Sequence, residues 1–231
     1  MIVPSLHLID DLHAFCAKVH LCENFGRPDE ISLLDESTSG TVTVLWNSNL
    51  MVSKGVLDLV TACERVRADH PSLRLILLGS PMADAEADQD EVLSWLNGLI
   101  DSDWISVVGA VPPEVVPSYL ASADAVALPS RYASECQPLA LIDAMCAGKA
   151  VIASDTAAMR ATLGDYPSIL CASSTEGVIT ALTTLCSRPP DNSELSAAAA
   201  RARARFSLER FDRQMASILS FSDRDADRQS R

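Results

Sequence analysis

From Thr41 onward, short and nearly continuous apolar runs alternate with stretches whose apolar residues recur every three to four positions. The runs Val42–Trp46, Leu73–Gly79, Ile105–Gly109, Ala125–Leu128, Ala150–Ala153 and Ser168–Cys171 read as strands. Most lack a polar alternate position, the pattern of strands buried on both faces in a parallel sheet. Ser53 is placed to cap a helix running to about Ala68, with Val56, Leu59, Val60, Cys63 and Val66 on one face. Further helices are predicted over Glu91–Ile100, Pro117–Ser122, Pro138–Cys146 and Glu176–Cys186, each bounded by proline, glycine or a small polar residue. Six strands joined by crossover helices predict an α/β fold, a Rossmann-like doubly wound parallel sheet.

The two ends follow other patterns. Residues 1–40 predict one helix, a strand near Val19–Cys22 and a polar stretch over Asp35–Gly40. Residues 192–220 predict a helical pair, rich in Ala and Arg and then amphipathic through Leu208, Phe211, Met215 and Leu219. Residues 221–231 are almost wholly polar and are expected to form a disordered tail.

Composition narrows the function classes. With 231 residues, 48% hydrophobic and 21% charged, the chain can build one large domain with a short appendage. Apolar runs such as Leu73–Leu78 are too short to span a bilayer, and Met1–Leu8 lacks a basic start, so the protein is expected to be soluble and cytoplasmic without an integral membrane segment. The net charge of −13 and the absence of a basic stripe outside Arg201–Arg210 make nucleic acid a poor partner. The seven cysteines are odd in number and show no C-x-x-C spacing, which favours buried free thiols over disulfides or a zinc site. His7, His13, His20 and His70 share no metal-ligand spacing with acids or thiols, so no metal is expected.

Ligands of an open α/β sheet bind beyond the carboxyl ends of its strands, where phosphates meet helix N-termini. Two helix starts carry unusual chemistry. After the first strand of the sheet, Asn47–Gly55 places Lys54 beside Gly55 at a helix opening, a point charge and a permissive backbone suited to a diphosphate. Read alone, Lys54 is equally an exposed lysine at a helix start. After the fourth, Glu135 lies in a loop, Pro138 begins a helix that carries Asp143, and Gly148 ends it. Carboxylates there can accept from vicinal sugar hydroxyls, or simply sit in solvent. Cys136 has no histidine in its sequence context and reads as a packing thiol, and Arg131 reads as a phosphate ligand or an exposed loop arginine.

These segments together resemble a known family. The ordered motifs are Ser53-Lys54-Gly55, Leu77-Leu78-Gly79, Val108-Gly109-Ala110-Val111, Tyr119-Leu-Ala-Ser-Ala-Asp-Ala125, Leu128-Pro-Ser-Arg-Tyr132, Glu135-x7-Asp143-Ala-Met145 and Gly148-Lys-Ala-Val-Ile-Ala-Ser-Asp155. Their order and spacing are similar to the C-terminal, donor-binding domain of GT-B fold retaining glycosyltransferases, glycosyltransferase family 4 or glycosyl transferases group 1. The resemblance runs from about Val19 to Leu219 and includes a terminal Phe206-Ser-Leu-Glu-Arg-Phe211.

The resemblance implies roles. Lys54 matches the lysine on the nucleotide diphosphate, and Glu135 the first acid of a Glu-x7-Glu motif, beside the donor sugar; these two are the catalytic candidates. Asp143 matches the second acid, which holds the ribose hydroxyls. Gly55 and the Gln137–Leu139 backbone (Gln137, Pro138, Leu139) fall where the family meets phosphate and sugar, and Val111 where it meets the base. The implied partner is a nucleotide-diphosphate sugar, whose sugar passes to an acceptor hydroxyl; no cofactor is implied.

The pattern also departs from the family. Asn49 stands where an arginine is common but can still donate one hydrogen bond, Asp143 is one methylene short of glutamate, and Cys136-Gln137 replaces a Gly-Phe pair; by position Asn49 and Cys136 stay among the donor-binding candidates the resemblance implies. Val19–Phe25 resembles the last strand before the interdomain linker, so 1–40 reads as a remnant of an N-terminal domain and linker, 41–220 as the nucleotide-sugar-binding domain, and the acceptor domain as largely absent. A companion acceptor-domain chain or self-association is then expected. A non-catalytic nucleotide-sugar-binding or assembly module, left by a split or truncated gene, is the alternative reading; a sugar-nucleotide epimerase of the same fold fits the Glu135-x7-Asp143 loop less well.

Overall fold

Strands that are apolar on both faces must be covered on both faces, and the helices between them supply the cover. The computed structural model describes residues 1–16, 18–26, 40–99 and 102–229. At the N-terminus, β1 (Ile2–Val3) and β2 (His20–Leu21) pair in parallel around α1 (His7–His13). The main sheet comprises β3 (Val42–Asn47), β4 (Leu73–Leu78), β5 (Ile105–Gly109), β6 (Ala125–Leu128), β7 (Ala150–Ser154) and β8 (Ser168–Cys171). All its pairings are parallel, in the order β5-β4-β3-β6-β7-β8. The order reverses between β3 and β6, the point where an open sheet leaves a crevice at its carboxyl edge.

The helices follow as α2 (Val56–Val66), α3 (Gln89–Asn97), α4 (Val116–Ser122), α5 (Leu139–Cys146), α6 (Ala157–Leu163), α7 (Thr175–Ser187), α8 (Asn192–Arg205) and α9 (Leu208–Gln229). Helix α2 packs on β4 and α7, while α5 packs on β6, β7 and α8. β6 and β7 are buried along their whole length, and Val44, Leu45, Trp46, Leu141, Ile142 and Phe206 lie in the same core.

All six expected strands are present, within one residue of their predicted ends. Four details differ. Ser53 does not cap α2: Val52–Lys54 forms a 3-10 turn, and Gly55, at φ 87°, is the N-cap without a side-chain bond. The expected disordered tail is instead helical as far as Gln229. No glycine or proline interrupts residues 208–229, so each added residue can gain a backbone hydrogen bond. Strand β1 and helix α6 were not anticipated. The polar stretch Asp35–Gly40 lies outside the described residues except for Gly40, and so does Ile100 at the end of the third predicted helix. Among the described residues, no helix is long and apolar enough to cross a membrane.

Candidate functional site at the strand-order reversal

The loop after β3 and the loop after β6 meet at the reversal point, and a glycine sets how closely. A Cβ on Gly55 would lie 2.5 Å from the Pro129 carbonyl oxygen, so the turn that ends in Lys54 can press on Pro129 only with glycine there. The Arg131 amide donates to the Ser53 carbonyl at 2.9 Å, tying the two loops directly. Gly79 plays a similar part behind them: its Cβ would fall 1.9 Å from the Ser48 carbonyl oxygen.

This contact brings the two catalytic candidates together. Lys54 Nζ lies 3.3 Å from Glu135 Oε2, with only 15% and 12% of the two side chains exposed. Lys54 Nζ also donates to Ser48 Oγ at 3.2 Å and sits 5.8 Å from the centre of the Tyr132 ring. Ser130 Oγ donates to the same Glu135 oxygen at 3.4 Å. Ser130 is itself fixed, because its carbonyl accepts from Ser154 Oγ at 2.5 Å and Ser173 Oγ at 3.3 Å. A largely buried cation thus faces a largely buried carboxylate, each with a serine hydroxyl as a second partner.

A pocket of about 360 Å³ lies on the other side of the same edge. Val111, Leu139 and Asp143 line it, together with Asn47, Val116, Leu120, Asn24 and Phe25. Pro138 is the N-cap of α5 and offers no side-chain cap, and the first-turn amides of Leu139 and Ala140 have no acceptor in their own helix. Leu139 is exposed, whereas Asp143 is half-buried one turn further in. The Asp143 Oδ1 atom stands 3.4 Å from where a Cβ on Gly26 would be, so the linker backbone passes close beside the carboxylate.

Other candidates have different surroundings. The Gln137 side chain is buried and turned toward the linker: its Oε1 accepts from the Asn24 amide at 2.7 Å, and its Nε2 donates to Glu23 Oε1 at 3.4 Å. Cys136 Sγ donates to the Ser134 carbonyl at 3.4 Å. Asn49 is exposed, and among the described residues its side chain has no hydrogen-bond partner. Arg131 is not positioned as a phosphate ligand. Its guanidinium is engaged by Asp58 Oδ2 at 2.5 Å and by both oxygens of Glu86 at 3.0 and 2.6 Å.

Sequence reasoning missed Ser48, Ser130, Asn24 and Phe25. Ser48 follows directly on a strand that ends at the reversal point, which was a usable signal; Ser130 precedes the singled-out Arg131. Asn24 and Phe25 were read only as part of a linker, and their place beside Asp143 depends on a contact across more than a hundred residues.

The arrangement offers a cation, helix-start amides without a side-chain cap and an acceptor carboxylate around one crevice, which is suited to an anionic, hydroxyl-bearing ligand. Known proteins agree with the fold. Sucrose-phosphate synthase from Thermosynechococcus elongatus superposes with a TM-score of 0.79 at 18% identity, over 97% of this chain and 58% of that one. HepE of Anabaena, crystallised with UDP-glucose, superposes with a TM-score of 0.75 at 20% identity, over 95% of this chain and 63% of that one. The lipopolysaccharide 1,2-N-acetylglucosaminetransferase of Salmonella typhimurium is 29% identical over 149 residues, which are 62% of this chain and 37% of that protein. The chain therefore spans less than two thirds of the length of each of these relatives. The sequence profile described as Glycosyl transferases group 1 matches residues 41–188, well over half of the chain and all six strands of the main sheet, and the chain belongs to that family.

Proposed function

We propose that this chain supplies the donor-binding half of a retaining glycosyltransferase that uses a nucleotide-diphosphate sugar. The observation that carries the reading is the Lys54–Glu135 pair, 3.3 Å apart at the carboxyl edge where the strand order reverses, with the Asp143 pocket at the same edge. In this reading the nucleoside enters the pocket. The ribose hydroxyls donate to Asp143, and the base lies against the Val111 segment.

The diphosphate meets Lys54 and the Leu139 and Ala140 amides, where fixed positive charge and helix-start N–H groups cost no reorganisation as the leaving group departs. As the bond between the anomeric carbon and the diphosphate oxygen breaks, its electron pair stays with the diphosphate. The acceptor oxygen then forms the new bond and gives its proton to the departing diphosphate oxygen, which holds that electron pair. Lys54 stabilises the charge that appears on the leaving group, and Glu135 accepts hydrogen bonds from the sugar hydroxyls. Retention rests on the likeness of Glu135-x7-Asp143 to the family's acid pair, and the acceptor on whatever completes the cleft.

That HepE was crystallised with UDP and glucose and with UDP-glucose supports a nucleotide-sugar partner for a domain of this fold. Calorimetric titration of the purified chain with UDP, GDP, ADP and UDP-glucose tests the reading. It expects saturable binding of at least one diphosphate, lost with excess pyrophosphate. The absence of binding across the panel would reject it.

A further inference from the structure

The Lys54 and Glu135 loops are joined by a second, longer path, made by a residue with no place in the donor site. Arg131 donates from its backbone to the Ser53 carbonyl at 2.9 Å, while its guanidinium forms a fork on Glu86 at 3.0 and 2.6 Å. Glu86 sits in a turn organised by Asp84, whose Oδ1 accepts the Glu86 and Ala87 amides at 2.7 and 3.1 Å. The other oxygen of Asp84 accepts the Ser53 amide at 2.7 Å. The chain of contacts therefore closes on itself: Ser53, Asp84, Glu86, Arg131 and back to Ser53.

A brace extends from this ring. Arg131 also donates to Asp58 Oδ2 in α2, and Asp58 Oδ1 accepts from Thr175 Oγ1 at the start of α7. Lys54 follows Ser53 by one residue, and Glu135 follows Arg131 by four within one short loop. Both backbone polar groups of Ser53 are held by the ring, so the turn that presents Lys54 has little freedom to shift against the loop that presents Glu135.

We propose that Arg131, acting through Glu86 and Asp84, is a positioning residue that fixes Lys54 against Glu135 for the donor diphosphate. The inference rests on the donor-site reading above. The planar fork is what the ring requires. A lysine can reach one acceptor as a point charge but cannot hold both Glu86 oxygens and Asp58 at once. Breaking the fork frees the two loops to move apart while leaving Lys54, Glu135 and the Asp143 pocket chemically intact.

The test compares UDP with uridine, the latter measured by competition, on the full chain carrying Arg131→Lys or Glu86→Gln. Arg201→Lys, which alters an exposed arginine paired with Asp165 at 3.4 Å on α8, serves as control. A misplaced Lys54 weakens the diphosphate and spares the nucleoside, whereas general loosening of the fold weakens both. We expect UDP affinity to fall about tenfold in each ring variant, the scale of couplings within one hydrogen-bond network, with uridine affinity changed less than about twofold and the control unchanged. Unchanged UDP affinity in both ring variants, or an equal loss for UDP and uridine, overturns the inference while the donor site stands. Failure of the unmodified chain to bind UDP, GDP or ADP overturns the donor-site reading and this inference with it.

Discussion

Replacing Lys54 by methionine keeps the stem and removes the charge, and it should lower two separately measurable quantities, the folding stability and the affinity for UDP. In the free protein the substitution leaves a carboxylate with 12% side-chain exposure facing, among the described residues, only Ser130 Oγ at 3.4 Å. Leaving such a group short of a partner costs about 1–3 kcal/mol, less than the larger penalty for a fully buried orphan charge. Urea unfolding should report that loss. In the ligand complex the same change removes a charge-assisted contact worth about 1.5–3 kcal/mol, so UDP should bind roughly 10- to 150-fold more weakly. Adding Glu135→Gln separates the two effects, because it removes the orphan charge without restoring the cation. The double variant should recover most of the folding stability and none of the UDP affinity. Recovery of UDP affinity in the double variant would mean that Lys54 only neutralises Glu135 and does not touch the diphosphate. That outcome would refute the reasoning.

Three further outcomes follow from the geometry. Gly55→Ala forces a Cβ to within 2.5 Å of the Pro129 carbonyl in a left-handed conformation, and should cost at least about 2 kcal/mol in denaturant unfolding. Asp143→Ala should weaken UDP by about 1.5–3 kcal/mol while leaving its 2′,3′-dideoxy analogue unaffected, which competition calorimetry reads directly. Burial pushes the Asp84 carboxyl up, but the Ser53, Glu86 and Ala87 amides outweigh it and hold the group below its ordinary value. Its contribution is therefore complete above the unfolded value of about 3.9 and is lost only as pH falls below that, so Asp84→Asn should be less stable than the parent at neutral pH, by a margin that shrinks below about pH 3.9.

The legible part of this protein is the part written in local pattern. Ala125–Leu128 ends where its apolar run ends, because a strand buried along its whole length has no room for a polar side chain. Lys54, Glu135 and Asp143 could be marked because each lies in a loop-to-helix segment that follows a strand, where an open sheet binds ligands.

What escaped was written in contacts between distant residues. Arg131 finds Asp58 and Glu86 at separations of 73 and 45 residues, and Gln137 finds Asn24 at 113, and neither pairing leaves a local trace. Ser53 has the chemistry of a cap, but the close approach of Pro129 put the left-handed Gly55 at the cap instead. Helix α6 has seven residues and a short apolar face, too little for its periodicity to stand out, and its Thr156 cap is the clearer sign in retrospect.

The central claim is that a nucleoside diphosphate lies across the β3–β6 reversal with its diphosphate on Lys54. A crystal structure of the chain grown with UDP tests it most directly. The account predicts the ribose hydroxyls within hydrogen-bond distance of the Asp143 carboxylate, and a phosphate oxygen within about 3 Å of Lys54 Nζ. UDP bound elsewhere, or seated in the pocket with its phosphates pointing away from Lys54 while the Lys54–Glu135 pair stays closed, would contradict it.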